Sequence, residues 1–363
     1  MASIVAIKIL QMFIILLAGV IAYKTGLINK TSTAHLSNLL LMMVSPLLSF
    51  LSYQLDFTPV LLNGLLLALF ASVLTYVISI GLSELLLRPG KSLPFKAETT
   101  SLQGFPQISE VTQIPGAAQN SEAASTSSLQ ASKVCITSSS QAVRTENYGV
   151  EKIALVYSNC GFFGIPLVSS IFGTEGVFYL TAYLTAFNVL LWTHGLLAMG
   201  ERFDLKTLWK KLMTPAILAV VTGVICFLLR IHLPEILTYP LGLIANMNTP
   251  LAMIVAGANL AQADLLKCLR KPRVYLVSFL RLLVLPALSL LLLWVLHITI
   301  SLDFTIAFTV FIASACPVGA VSIMFAERFG KDSSYATELF VVSTVLSLLT
   351  IPLISIPAAF LLK

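Results

Sequence analysis

The chain has 363 residues, of which 57% are hydrophobic and only 10% charged, with a formal net charge of +6 and a mean hydropathy of +0.93. Soluble domains carry about a quarter charged residues, so this composition excludes a soluble fold and predicts an all-α polytopic membrane protein. The excess of Lys and Arg does not indicate nucleic acid, because the cations are spread over short connections and form no basic patch interleaved with aromatics.

A bilayer core of about 30 Å takes roughly 20 residues of helix to cross, and apolar runs of that length recur along the chain. Spans are predicted at about 3–23, 35–55, 58–87, 150–171, 176–199, 213–231, 236–262, 274–299, 304–326 and 333–361. Helices are the expected material because every backbone polar group must find a partner inside lipid. The alternation of an outer-membrane barrel is absent. The first run, MASIVAIKILQMFIILLAGVIAYKTG, carries Ala18 and Ala22 but no positive cluster at its start, and further spans follow. It reads as a span rather than a signal peptide.

Residues 1–89 hold the first three spans, 149–200 the fourth and fifth, and 213–363 the remaining five, with a connection at 201–212. Lys and Arg fall in alternate connections: Lys24 and Lys30, then Arg88 to Lys152, Arg202 to Lys211, Lys267 to Arg273, and Arg328 with Lys331. The connections around Asp56, Glu175, Glu235 and Asp303 hold almost no cations apart from Arg230. Cytoplasmic loops are the cationic ones. An even number of spans with both termini outside the plasma membrane is the topology this predicts. Residues 90–148 are rich in Ser, Thr, Gln and Ala and poor in large apolar groups, so they bury too little to offset ordering entropy. A disordered cytoplasmic loop is expected there, as a plain linker or as a regulatory, phosphorylated segment.

Two pairs of spans share patterns. NLLLMMVSPLLSF and LIANMNTPLAMIV align Pro46 with Pro250 and Ser45 with Thr249. SNCGFFGIPLVSSIFGTEG and SACPVGAVSIMFAERFGKDS align Gly173 with Gly330 and Glu175 with Asp332. Five spans is an odd number, so a second copy enters the membrane inverted, and the matching broken helices of such repeats point to a midplane site.

The first candidate site is Asn159, Cys160, Gly161, Phe162, Phe163, Gly164, Ile165 and Pro166. Glycine weakens a helix and proline removes a donor while clashing with the preceding turn, so the fourth span is expected to unwind here. An unwound helix leaves its continuation with free N–H groups and a positive dipole end, which favour an anion. A proline kink that only eases packing is the competing reading. The second candidate is Ser314, Ala315, Cys316, Pro317, Val318, Gly319 and Ala320, with Ser322 nearby. If both breaks meet at mid-membrane, two half-helix N-termini flank one carboxylate. Pro46 and Pro250 are expected to break their own spans.

Polarity inside the spans comes mainly from amides: Asn38, Asn159, Asn188, Asn246, Asn248 and Asn259. Each serves equally as a ligand contact or as glue between helices. Arg281 and Glu338 lie about two turns into their spans and are expected to snorkel to the interface rather than pair or gate. His35, His194, His232 and His297 lack the partner spacing of a proton relay. Five cysteines, at 135, 160, 226, 268 and 316, form no CxxC pair and no metal-ligand spacing. Cys316 reads as packing because no base accompanies it. No GxxxxGK[ST], GxGxxG or HExxH occurs, which argues against an ATP-driven pump or an enzyme and predicts no cofactor and no metal.

At SNCGFFGIPLV, followed by FGTEGVFYLTAYLTAFNVLLWTHG, the chain resembles the auxin efflux carrier family, which includes plant PIN exporters and bacterial permeases. ACPVGAVSIMFAERFGKDSSYATELFVVSTVLSLLTIPL resembles the same family's closing segment. The resemblance implies a fold related to bile acid sodium symporters, with crossing broken helices and a transport domain moving against a scaffold in elevator fashion. It implies crossover roles for Asn159, Gly161, Gly164, Pro166 and Pro317, and places Ser45, Asn248 and Thr249 beside the same cavity. The plant exporters' Asn-Pro-Asn crossover reads Asn-Cys-Gly here, which points away from auxin itself. A small organic anion is the expected partner besides the lipid bilayer, and a homodimer is allowed but not required.

Overall fold

The computed structural model describes residues 2–87, 147–201, 213–262 and 271–363. The predicted 90–148 loop lies outside them except for residues 147 and 148, which open a helix, and the 201–212 connection lies outside except for residue 201.

The described chain is helical throughout apart from short connections. The helices are α1 (Ala2–Lys24), α2 (Lys30–Leu51), α3 (Pro59–Leu86), α4 (147–156), α5 (Cys160–Ala198) and α6 (Pro215–Leu228). They continue with α7 (Glu235–Asn246), α8 (Asn248–Gln262), α9 (Pro272–Ile300), α10 (Phe304–Ala315), α11 (Val321–Arg328) and α12 (Ser333–Leu361). Seven stretches are long and apolar enough to cross a membrane, α7 and α8 counting together, and α6 and α10 are shorter apolar helices. The fourth and fifth predicted spans meet within α5 at Gly173, whose φ of 62° and ψ of −144° are not helical and divide α5 into two arms. α2 starts at Lys30, earlier than predicted, because Asn29 caps it by accepting from Ser32 N at 2.8 Å.

Helix starts follow from local chemistry. Thr58-Pro59 and Thr214-Pro215 each put a hydroxyl acceptor at the N-cap and a proline, which has no N–H to strand, at the first helical position. Proline deeper in a span is handled differently. Leu40–Val44, Cys160–Gly164 and Leu280–Val284 are π turns, and each precedes a residue followed by proline: Pro46, Pro166 and Pro286. A widened turn absorbs the clash between the ring and the preceding turn. Pro46 therefore does not interrupt its helix, contrary to expectation. Pro250 does not break its span either; the chain kinks at Met247, and Pro250 sits in the first turn of α8, where its missing N–H costs nothing.

Two groups of helices emerge from the packing, joined by α1, which packs on α12 as well as on α8. α1, α2, α6, α7 and α8 form one, with α1 against α8 and α2 against α6 as its main contacts. α3, α5, α9, α10, α11 and α12 form the other, led by α3 against α5 and α5 against α10. Without a hydrophobic drive between helices in lipid, close approach depends on small residues. A Cβ at Gly257 would lie 2.0 Å from the Leu16 carbonyl oxygen, and one at Gly19 would lie 2.4 Å from that of Ile254. On the far side of α1, Ile4, Ile7, Leu10, Ile14, Leu17 and Ile21 point outward as a stripe, the apolar-all-round character of a membrane helix.

Gly257→Ala is expected to force α1 and α8 apart and destabilise the protein by about 1–3 kcal/mol, as overpacking does. Gly81→Ala, where a Cβ meets nothing within 4 Å, is expected to leave the thermal unfolding midpoint of the detergent-solubilised protein unchanged.

Candidate functional site

In the second group the break between α4 and α5 meets the break between α10 and α11. Ser158 and Val318 form an antiparallel bridge. Asn159 N donates to Pro317 O at 2.8 Å, and Gly319 N donates to Tyr157 O at 3.0 Å. Each break thus supplies the partners that the other lacks, which is the condition for irregular backbone in a membrane interior. Cys316, at φ −58° and ψ 150°, is extended because it precedes proline, and this ends α10. Gly319 has no room for a side chain: a Cβ would sit 2.9 Å from Tyr157 O and 3.0 Å from Ser158 O.

The first break is narrower and earlier than the sequence suggested. Only residues 157–159 are non-helical. Gly161, Gly164 and Pro166 belong to the helix that follows, because the π turn at Cys160–Gly164 accommodates Pro166. Phe163 N and Gly164 N both donate to Asn159 O, at 2.9 and 3.2 Å. The amides of Cys160, Gly161 and Phe162 precede any intrahelical acceptor. At the second break, Val318 N is taken by Ser343 Oγ at 3.1 Å and Gly319 N by the bridge, while Ala320 N and Val321 N have no backbone acceptor. The two amide ends are therefore partly spent rather than bare.

The side chains sort into three sets. Asn159 is buried at the break with its Nδ2 unpartnered, and Ser158 Oγ beside it is likewise unpartnered. Cys160 and Cys316 are fully buried and face each other across Gly164, whose Cβ would lie 3.3 Å from Cys316 Sγ and 3.4 Å from Cys160 Cβ. Gly161 has nothing within 4 Å of a Cβ position, so one side of the α5 start is open. In the other group, Ser45 Oγ donates to Asn248 Oδ1 at 2.7 Å, leaving the buried Asn248 Nδ2 free. Thr249 is half-buried next to it, and α8 packs on both the π turn of α2 and the first turn of α5. Ser314 Oγ donates back to Phe311 O at 2.8 Å and is not available to a ligand. Asn188 does the same toward Leu184 O, and Asn38 is exposed.

Arg281 departs most from expectation. It does not snorkel: it is 1% exposed and held by carbonyls alone. Its Nη1 donates to Leu155 O at 2.9 Å, Nη2 to Ser314 O at 2.7 Å and Cys316 O at 3.0 Å, and Nε to Cys316 O at 3.1 Å. An arginine at the bilayer centre costs about 2.5–3.5 kcal/mol on insertion scales. Hydrogen bonds to a charged group return about 1.5–3 kcal/mol each, so three carbonyls offset that cost. A lone arginine deep in an apolar span was the signal that it has a partner.

Glu338 is also buried and paired, with Lys271 Nζ at 2.8 Å. It belongs to a charged end built from the ends of α3, α4, α5, α9 and α12. There Glu151, buried, takes Arg273 Nε and Nη2 at 2.7 and 2.6 Å and the Tyr335 hydroxyl at 2.8 Å. Lys152 meets Glu84 at 2.8 Å, and His194 lies between Glu84 and the Tyr157 hydroxyl, which donates to Leu190 O or contacts His194 Nδ1 at 3.1 Å. None of this network was legible in local spacing, because its members come from distant parts of the chain.

Between the two groups lies a groove of about 230 Å³ lined by residues such as Leu48 of α2, Ser52 that caps it, Ser169 and Thr174 of α5, and Asn246. Of the amides singled out in the sequence, Asn246 lines it, and the residues of the two breaks do not. It opens at the far end of the short arm of α5, about 20 Å along the helix from Cys160 at 1.5 Å per residue. Among the described residues no cluster of His, Cys, Asp and Glu could hold a metal ion.

Residues 202–355 match the sequence profile of a family described as membrane transport protein. A search of curated proteins returns no match.

Gly319→Ala is expected to break the backbone bridge, lowering the thermal unfolding midpoint and abolishing any activity of the site. Gly161→Ala should fold as the parent does, since its side chain enters open space. Equal unfolding midpoints for the parent and Gly319→Ala would contradict this crossover geometry.

Proposed function

We infer from the match of residues 202–355 to a membrane transport protein family that the chain is a secondary transporter of small organic anions, carboxylates or auxin-like molecules, working by elevator-type alternating access. The observation that carries this reading is the pair of crossed breaks. Two half-helix starts adjoin there, with Cys160, Gly161 and Phe162 amides on one and Ala320 and Val321 amides on the other, beside the unpartnered Asn159 Nδ2. Amides at two positive dipole ends, those of Cys160 and Gly161 shared with the Cys160 thiol, together with the free Asn159 Nδ2, suit a carboxylate. Asn248 Nδ2, on the group that packs against the α5 start, adds a further donor of the same kind.

The arrangement of ten spans in two inverted five-span halves fits this mechanism. Gly173 and Gly330 close the two short arms at the same φ of 62°, and an acidic residue stands two positions after each. The division of the helices supports one group carrying the crossover against a scaffold of α1, α2, α6, α7 and α8. The groove at Asn246 is then the approach from the outside, and the charged end at Glu151 and Glu338 faces the cytosol, with both termini outside the plasma membrane. Export of an anion from an inside-negative cell gains about 2.3 kcal/mol per charge per 100 mV, so it needs no coupled ion. A proton-linked carrier is the second reading, favoured by the buried and unpartnered Glu338 Oε2.

Flux into proteoliposomes, measured with labelled carboxylates including indole-3-acetate and malate, with and without an imposed potential, tests this proposal. Saturable, potential-driven flux is expected. Asn159→Ala should reduce it by about 10- to 100-fold, the worth of one hydrogen bond to a charged group. Linear, non-saturating flux would make the protein a channel instead, and undiminished flux in Asn159→Ala would remove the site.

A further inference from the structure

We propose that Arg281 is a resident cation, its guanidinium filling the carbonyl cage between the two helix breaks that a coupled sodium ion would otherwise take, so that the carrier runs without sodium. The last carbonyls of a helix have no intrahelical donors and carry the negative end of its dipole. In carriers with broken helices, unwound carbonyls and half-helix C-terminal ends are the groups that hold a coupling cation. Here those groups are Leu155 O at the end of α4 and Ser314 O and Cys316 O at the end of α10.

One side chain satisfies all three. Arg281 reaches Leu155 O from Nη1 and the two α10 carbonyls from Nη2 and Nε, at 2.7 to 3.1 Å. Among the described residues no carboxylate pairs with it: the ion pairs present involve Glu84, Asp56, Glu151 and Glu338. The charge is therefore answered only by helix dipoles. A guanidinium has five donors in a fixed plane and does not lose its proton, so it supplies a permanent cation where an exchanging ion would supply a transient one. It also joins the two C-terminal ends that the backbone bridge alone leaves uncapped, and it comes from α9, a third helix.

The consequence for coupling rests on the transport reading above; the consequence for stability does not. Wild-type flux in proteoliposomes should be the same in sodium chloride and choline chloride. The purified wild-type protein should unfold at the same temperature in both salts. Arg281→Ala, which empties the cage, should unfold about 5 °C or more lower, and low-millimolar guanidinium or sodium should raise that midpoint where choline does not. Arg281→Lys, which keeps a charge but reaches fewer carbonyls, should fall between the two and serves if the alanine variant does not fold. Sodium-dependent wild-type flux would overturn the proposal, as would variants whose midpoint is indifferent to small cations. Absence of flux with every carboxylate would overturn the transport reading alone and leave the unfolding measurement to decide the role of Arg281.

Discussion

A helix interrupted inside a bilayer exposes N–H and C=O groups that water cannot reach, and each must find a partner within the protein. In this chain that constraint is met reciprocally. Asn159 N and Tyr157 O at one break exchange hydrogen bonds with Pro317 O and Gly319 N at the other, Ser343 takes one further amide, and Arg281 takes three carbonyls. Neither break is tolerable alone. Gly319 is required because two carbonyls of the opposite break lie where its Cβ would be, and Pro317 is required because it ends α10 at the right residue.

The same reciprocity polarises the crossing. Carbonyl ends are answered by a fixed positive charge, whereas among the described residues Ala320 N and Val321 N have no backbone acceptor and Asn159 Nδ2 stays unpartnered. The helices α3, α5, α9, α10, α11 and α12 pack around this crossing as one group. The remaining helices form a second unit around the close α1 and α8 contact at Gly257, and Tyr53, in the turn after α2, ties it to α5 through Thr181.

Much of this was legible in the sequence. Span positions follow from apolar length, Thr-Pro pairs mark helix starts, and Pro317 with Gly319 marks the second break. The first break was placed too late because glycine and proline were read as breakers, whereas a π turn absorbs Pro166 and the chain opens at Tyr157–Asn159 instead. Pro46 was misread for the same reason. Arg281 and Glu338 were expected at the interface because snorkelling depends only on depth, while their actual partners, Leu155 and Lys271, come from elsewhere in the chain. Periodicity carries no information about such long-range pairs, and the network around Glu151 was invisible for that reason.

A carboxylate received beside Asn159 is visible in a structure of the protein in lipid nanodiscs, determined with a transported carboxylate bound. The carboxylate is expected within hydrogen-bond distance of Asn159 Nδ2 and of amides on both half-helix starts. Carboxylate bound only in the groove at Ser169 and Asn246, with the crossover amides untouched, would contradict it.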